Sequence, residues 1–150
     1  MAIGLDLLEI KEYDGSGYQP LITFQTWRVA VLKYCDELLP ERIAKMQRHE
    51  KTDEVFILLQ GKCLLYIGTG DTYVNGIAAQ AMEPLRIYNV KRSAWHTHTL
   101  SRDAVVLIVE NEDTAPANSP EMLLDEVQRQ ELVKLAREHG MFCQTGGRKD

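Results

Sequence analysis

The sequence predicts an all-β fold, a small antiparallel β-barrel or jelly roll that carries one C-terminal α-helix, and three observations predict it. Short apolar or β-branched runs recur about every eight to twelve positions between residues 21 and 110, with turn residues between them. Few helix-period patterns interrupt that series. Beyond residue 111 the texture changes to a polar stretch and then to apolar residues at helix-like spacing.

The clearest strand segments are residues 27–34, 43–49, 55–59 and 63–67, followed by 77–81, 85–90, 95–100 and 104–110. Gly61 with Lys62 predicts a tight hairpin between the segments at 55–59 and 63–67, and the cluster Gly68-Thr69-Gly70-Asp71 predicts a turn after it. Residues 112–118 read as a linker. Ser119 before Pro120 predicts a helix start, and Leu123, Leu124, Val127, Leu132, Leu135 and Ala136 supply an apolar face up to a stop at Gly140. Residues 144–150 read as a frayed end. The expected organisation is one domain, with residues 1–111 as the barrel and its N-terminal strand or arm, and residues 112–150 as linker, helix and tail.

With 150 residues, 45% apolar and 26% charged, the chain fits one soluble domain with one core, which excludes disorder as its main state. No apolar run reaches the roughly 18 residues of a membrane span, and Asp6 and Glu9 stand where a secretory leader carries bases. The expectation is a cytoplasmic protein without a membrane partner. Cys35, Cys63 and Cys143 are an odd set at wide spacing, which argues against a disulfide framework and against a CxxC site.

The net charge of −5 is unevenly placed. Residues 110–131 hold seven acids (Glu110, Glu112, Asp113, Glu121, Asp125, Glu126, Glu131) and the single base Arg129, which leaves sixteen bases and fifteen acids elsewhere. No basic stripe interleaved with aromatics is present, so nucleic acid is not an expected partner.

Histidines are few: His49, His96, His98 and His139. In a strand, side chains two apart share a face, so Lys45, Gln47 and His49 point one way, and a turn through Lys51-Thr52 returns Glu54 to that face on the next strand. His96 and His98 likewise share a face. Two imidazoles and a carboxylate on rigid strands suit a divalent first-row metal with open positions for water or a small-molecule ligand. Trp95 falls on the opposite face, as a packing residue. His139 stands before Gly140, where a cation suits the end of a helix. No phosphate loop and no Gly-x-Ser-x-Gly nucleophile turn occurs.

These residues resemble the cupin superfamily. Its first motif runs His, any, His, three or four residues, Glu, six residues, Gly; here His49, Glu54 and Gly61 match, and Gln47 holds the first His position. In the second motif His96 matches, while Lys91, Ser93 and Leu100 replace the Pro, Gly and Asn. The resemblance implies a metal set of Gln47, His49, Glu54 and His96 for Zn, Fe, Mn or Ni, or a metal-free barrel in which His49 and Glu54 are a buried hydrogen-bonded pair. It further implies lyase, isomerase or dioxygenase chemistry on a polar or anionic metabolite, or a non-catalytic binding module, and a homodimer. His98 is then a ligand or an acid or base beside the site, with Lys45, Arg28 and Tyr66 as candidate pocket groups. The stretch Gln47-Arg48-His49 with Phe56 and Gly61, followed by Arg92-Ser93-Ala94-Trp95-His96, is also similar to the ureidoglycolate lyase group, which makes glyoxylate and urea from ureidoglycolate. In that chemistry His96 or His98 would remove a proton while Lys45 or Arg28 steadied a carboxylate.

Overall fold

The computed structural model describes residue 4 and residues 6–141, so the expectations for Cys143 and residues 144–150 lie outside the described residues. Among the described residues ten strands and one α-helix follow in chain order, with a short 3-10 turn at Asp36–Leu38: β1 (Gly17–Phe24), β2 (Trp27–Lys33), β3 (Lys45–Gln47), β4 (Glu54–Gln60), β5 (Cys63–Thr69), β6 (Gly76–Ala81), β7 (Ile87–Val90), β8 (Trp95–Leu100), β9 (Val105–Asn111), β10 (Glu121–Leu123) and α1 (Glu126–Glu138). The strands form two five-stranded antiparallel sheets, in the orders β1-β2-β9-β4-β7 and β10-β3-β8-β5-β6. Among the described residues no helix is long and apolar enough to cross a membrane.

Alternation along the strands sorts the side chains into an interior between the sheets and an outer layer. In β9, Val106, Ile108 and Glu110 are buried while their neighbours are half-buried, and β4 repeats the pattern with Glu54, Phe56 and Leu58. Cross-strand register stacks these residues in levels. Leu32, Val106 and Leu58 form one level, and Ala30, Ile108, Phe56 and Tyr88 form the next. A third level starts with Arg28 beside Glu110. On the second sheet Cys63 pairs with Leu100, Leu65 with His98 and Ile67 with His96. The interior therefore runs from apolar at one end to ionisable at the other.

The outer face of the second sheet buries Ile43, Met46, Leu64, Tyr66 and Trp95 against Leu124, Leu132 and Ala136. Tyr66 donates its hydroxyl proton to the Leu132 carbonyl at 3.0 Å, which pins α1 to the sheet. Trp95 lies in this outer layer, on the face opposite His96, as alternation requires.

Two expected boundaries are corrected. The chain at Gly61 does not close a hairpin: β4 has β9 and β7 on its two sides, β5 has β8 and β6, and Gly61 with Lys62 carries the chain from one sheet to the other. The hairpin lies one turn later, between β5 and β6. Nor does the helix start at Ser119-Pro120, which precedes β10; Asp125 caps α1, its carboxylate accepting from Gln128 N and its own N–H donating to Gln128 Oε1, both at 2.9 Å. This reciprocal box satisfies two free backbone donors, more than Ser119 supplies. Gly140, at φ +67°, ends the helix as expected.

Gly61 has φ +73°, and a Cβ there would lie 2.7 Å from Ala104 Cα. Gly61→Ala therefore combines a left-handed backbone with a backbone clash and is expected to cost about 2 kcal/mol or more in urea unfolding. An unchanged midpoint would contradict this account of the crossover.

Candidate metal centre

Glu54 opens β4, and its inward position follows from alternation with Phe56 and Leu58. His96, at the start of β8, faces it from the other sheet. His49 lies in the loop after β3, where its carbonyl accepts from Ser93 N at 2.8 Å. Glu54 Oε2 is 3.0 Å from His49 Nε2 and 2.8 Å from His96 Nε2, and all three residues are buried.

The far sides of the two rings decide what those contacts mean. His96 Nδ1 is 2.9 Å from the Ala94 carbonyl, which only accepts, so Nδ1 carries a proton. His49 Nδ1 is 2.7 Å from Ser119 Oγ. The Ser119 hydroxyl donates to Asn118 Oδ1 at 3.0 Å, and Asn118 Nδ2 is oriented by the Asp113 carbonyl and carboxylate at 3.1 and 3.0 Å. With its proton used, Ser119 accepts from His49 Nδ1–H. In the neutral rings both Nε2 atoms then present lone pairs to one carboxylate oxygen. That assembly is repulsive unless a positive charge sits in it, either a ring proton or a metal ion.

The electrostatics agree. Burial alone would raise the Glu54 carboxyl, but hydrogen bonds to His49 and His96 outweigh it and hold the group well below the ordinary carboxylate range. Burial pulls His49 down, whereas its contact with Glu54 raises it further than burial lowers it.

A second buried carboxylate, Glu110, adjoins the group. Its Oε1 accepts from Arg28 Nε at 2.9 Å and from the Tyr18 hydroxyl, and its Oε2 is 3.8 Å from His49 Nε2. Arg28 also donates to the Glu112 carbonyl at 3.3 Å and to Thr114. The stretch read as a linker thus crosses the ionisable end of the barrel, and Ser119 just after it orients His49.

No protein-family model matches the sequence, and no curated protein matches it. Solved structures do. The chain is similar to Pac13 from Streptomyces, described as a nucleoside dehydratase, at a TM-score of 0.50 and 10% identity over 79% of this chain and 89% of that one. It is similar to a Bacillus halodurans protein at a TM-score of 0.50 and 12% identity, over 67% of this chain and 74% of that one. A cupin-2 domain protein from Shewanella frigidimarina matches with a TM-score of 0.48 and 14% identity, over 67% and 85% of the two chains. This chain has a cupin fold.

Within that cupin barrel the structure brings His49, Glu54 and His96 to one point, with their donor atoms inside 4.8 Å of one another. Gln47 pairs in register with His96 and is half-buried. His98 lies one level deeper, its ring 6.1 Å from that of His96 and edge-on to Phe56 at 4.7 Å, so it does not supply the nitrogen that Gln47 lacks. Burial, with His96 nearby, pushes His98 down to about 4, and its Nε2 has no hydrogen-bond partner among the described residues.

Of the other expected pocket groups, Lys45 and Tyr66 fall elsewhere. Lys45 shares the strand face of Gln47, but at the exposed end of β3, where its ammonium meets Glu121 at 2.7 Å. Arg28 does border the site, with its donors engaged by Glu110, Glu112 and Thr114. Tyr66 is in the outer layer under α1. Cys63 is buried, and burial pushes its thiol up to about 12, which removes it as a nucleophile. Sequence reasoning missed Glu110, Ser119 and Asn118. A signal for Glu110 exists, since it continues the inward series Val106, Ile108 on a strand that is otherwise apolar on that face.

In chelator-treated protein the raised His49 group contributes stability that is fully present below the ordinary histidine value of 6.5 and is lost as pH rises through the folded value. The difference in urea midpoint between wild type and His49→Phe should therefore shrink as pH rises above the ordinary histidine value. A difference that stays constant or grows as pH rises would rule out the proton-held form.

Proposed function

We propose that this chain is a metal-binding cupin that holds a divalent transition-metal ion on His49, Glu54 and His96 and receives a small polar ligand at that end of the barrel. The observation that carries the reading is the pair of Nδ1 hydrogen bonds, to Ala94 and Ser119, that leaves two Nε2 lone pairs converging on Glu54. A bound Zn, Fe, Mn or Ni ion would act there as a Lewis acid towards a ligand oxygen. The protein's own groups set the rest. Ser119 and Ala94 fix the rings, Gln47 adds a half-buried amide beside His96, and His98, kept neutral, offers an unpaired nitrogen one level below.

Lys45 and Arg28, the cations suited to a substrate carboxylate, are paired with Glu121 and Glu110. The reading therefore gives neither of them the carboxylate-steadying role of ureidoglycolate cleavage, and favours a ligand recognised through neutral oxygens.

Protein purified without chelator or added metal should carry close to one transition-metal ion per chain by elemental analysis, and His49→Ala or Glu54→Ala should carry none. Ser119→Ala keeps the three donors but frees the His49 ring, so its affinity should fall about 10- to 100-fold. Wild-type protein that stays metal-free even after exposure to Zn, Fe, Mn and Ni would overturn the reading.

We also propose a homodimer built on the outer face of the first sheet. Its two central cross-strand rows, Val29-Val109-Val55-Asn89 and Gln19-Val31-Leu107-Ile57-Ile87, contain no charged residue, and Ile87 is 71% exposed. The one α-helix among the described residues packs on the other sheet. An apolar sheet face of this kind matches a second copy of itself across a two-fold axis. Light scattering should give a dimer for wild type and a monomer of unchanged circular dichroism for Ile57→Lys; a wild-type monomer at every concentration would remove the dimer.

A further inference from the structure

We infer that Gln47 and His98 select the ligand of this site, and that the ligand is an uncharged molecule with two oxygens on neighbouring carbons, a hydroxyketone or a vicinal diol. The inference rests on the metal-centre reading above. Period two sets Gln47 and His98 on the inner face of the second sheet together with His96. Gln47 pairs in register with His96 across β3 and β8, and His98 stands two residues further along β8. They therefore flank one triad imidazole, one across the sheet and one along the strand. Both hold hydrogen-bonding capacity that the fold leaves unused. Among the described residues the Gln47 amide has no hydrogen-bond partner, and neither has either ring nitrogen of His98.

A buried nitrogen without a partner is destabilising. A lone water is a poor partner for it, because a buried water holds its place through about two to four hydrogen bonds. The fold surrounds the His98 ring with Phe56 edge-on at 4.7 Å, Leu65 across the strand pair and His96 at 6.1 Å, whose own nitrogens meet Ala94 and Glu54. Room nevertheless remains there: His98 keeps 7% of its surface accessible, whereas Phe56 keeps none. A ligand oxygen on the ion stands beside His96, so a second oxygen of the same molecule completes His98. A metal–oxygen bond of about 2.1 Å and a hydrogen bond of about 2.8 Å take up most of the 6.1 Å ring separation, which places the two oxygens on neighbouring carbons. Gln47, both donor and acceptor, meets a carbonyl or a hydroxyl equally well. Charge settles the rest. Arg28 and Lys45 are already paired with Glu110 and Glu121, so these groups leave no cation for a ligand carboxylate.

The probe is hydroxyacetone, with acetone as its one-oxygen control and lactate as its charged one. In Zn²⁺-loaded protein, nitrogen NMR of the histidine rings reports hydrogen bonding at His98 directly and needs no turnover. Wild type is expected to bind hydroxyacetone about 10-fold more tightly than acetone or lactate, with a shift of a His98 nitrogen resonance. His98→Leu and Gln47→Leu should each weaken hydroxyacetone about 10-fold, the loss of one hydrogen bond, with Zn²⁺ still bound. His98→Leu removes an unpaired nitrogen and should not lower the urea midpoint, and His98→Gln should restore part of the affinity. Hydroxyacetone that binds no tighter than acetone, or equally to wild type and both leucine variants, would overturn the inference and leave the metal centre standing. A preference for lactate would overturn the uncharged ligand. No Zn²⁺ binding by wild type would overturn the metal-centre reading itself.

Discussion

One carboxylate oxygen, Glu54 Oε2, is where the ionisable end of this barrel is organised. It belongs to the first sheet, receives His96 from the second and His49 from the loop that follows β3, and so joins three separate stretches of chain at a single atom. Burying a carboxylate costs several kcal/mol unless charge and hydrogen bonds offset it. Two imidazoles with their far nitrogens held as donors do so here only when a ring proton or a metal ion lies between them and the carboxylate. The Ala94 carbonyl and the Ser119-Asn118-Asp113 chain provide that hold, which makes residues far from the triad part of its chemistry.

The levels of the interior explain why such a group is confined to one end. Leu32, Leu58, Leu100 and Val106 fill the opposite end, and Phe56 with Ile108 separates it from Glu54. A ligand approaching the triad from the apolar end would have to displace packed side chains. At the ionisable end the cover is the 112–119 stretch and Tyr18 on the edge strand β1, both held by polar contacts. Contacts of that kind open at lower cost than a packed core does.

Much of this was legible in the sequence because a strand has period two. The alternation that puts Glu54 with Phe56 and Leu58, and His96 with His98 and Leu100, needs no tertiary knowledge, and the motif spacing from His49 to Gly61 then brings the first imidazole to the carboxylate. Partner choice between strands was not legible. Gly61 gives the same local signal, a left-handed turn, whether the next strand returns alongside β4 or leaves for the other sheet, and only the occupancy of β4 by β7 and β9 decides. Likewise Ser119-Pro120 has the form of a helix start, but the Ser119 hydroxyl is engaged by His49 and Asn118, and the Asp125–Gln128 box takes its place. Lys45 and Gln47 flank the buried Met46 on β3, as period two implies. What alternation could not show is that a long side chain at the end of a three-residue strand reaches solvent and finds Glu121.

The acid-rich segment takes on a different meaning in three dimensions. As a run of charge it reads as a solvated tail, yet its members are distributed to separate tasks: Glu110 enters the barrel, Asp113 orients Asn118, Glu121 neutralises Lys45 and Asp125 caps α1. The segment therefore removes the two cations that an anionic substrate would need and contributes a second carboxylate beside Glu54. Both effects act in the same direction, towards a site that attracts positive charge. Glu54 and Glu110 are both buried against His49 Nε2, so under the proposed reading the local field would favour a cation there over a bound anion.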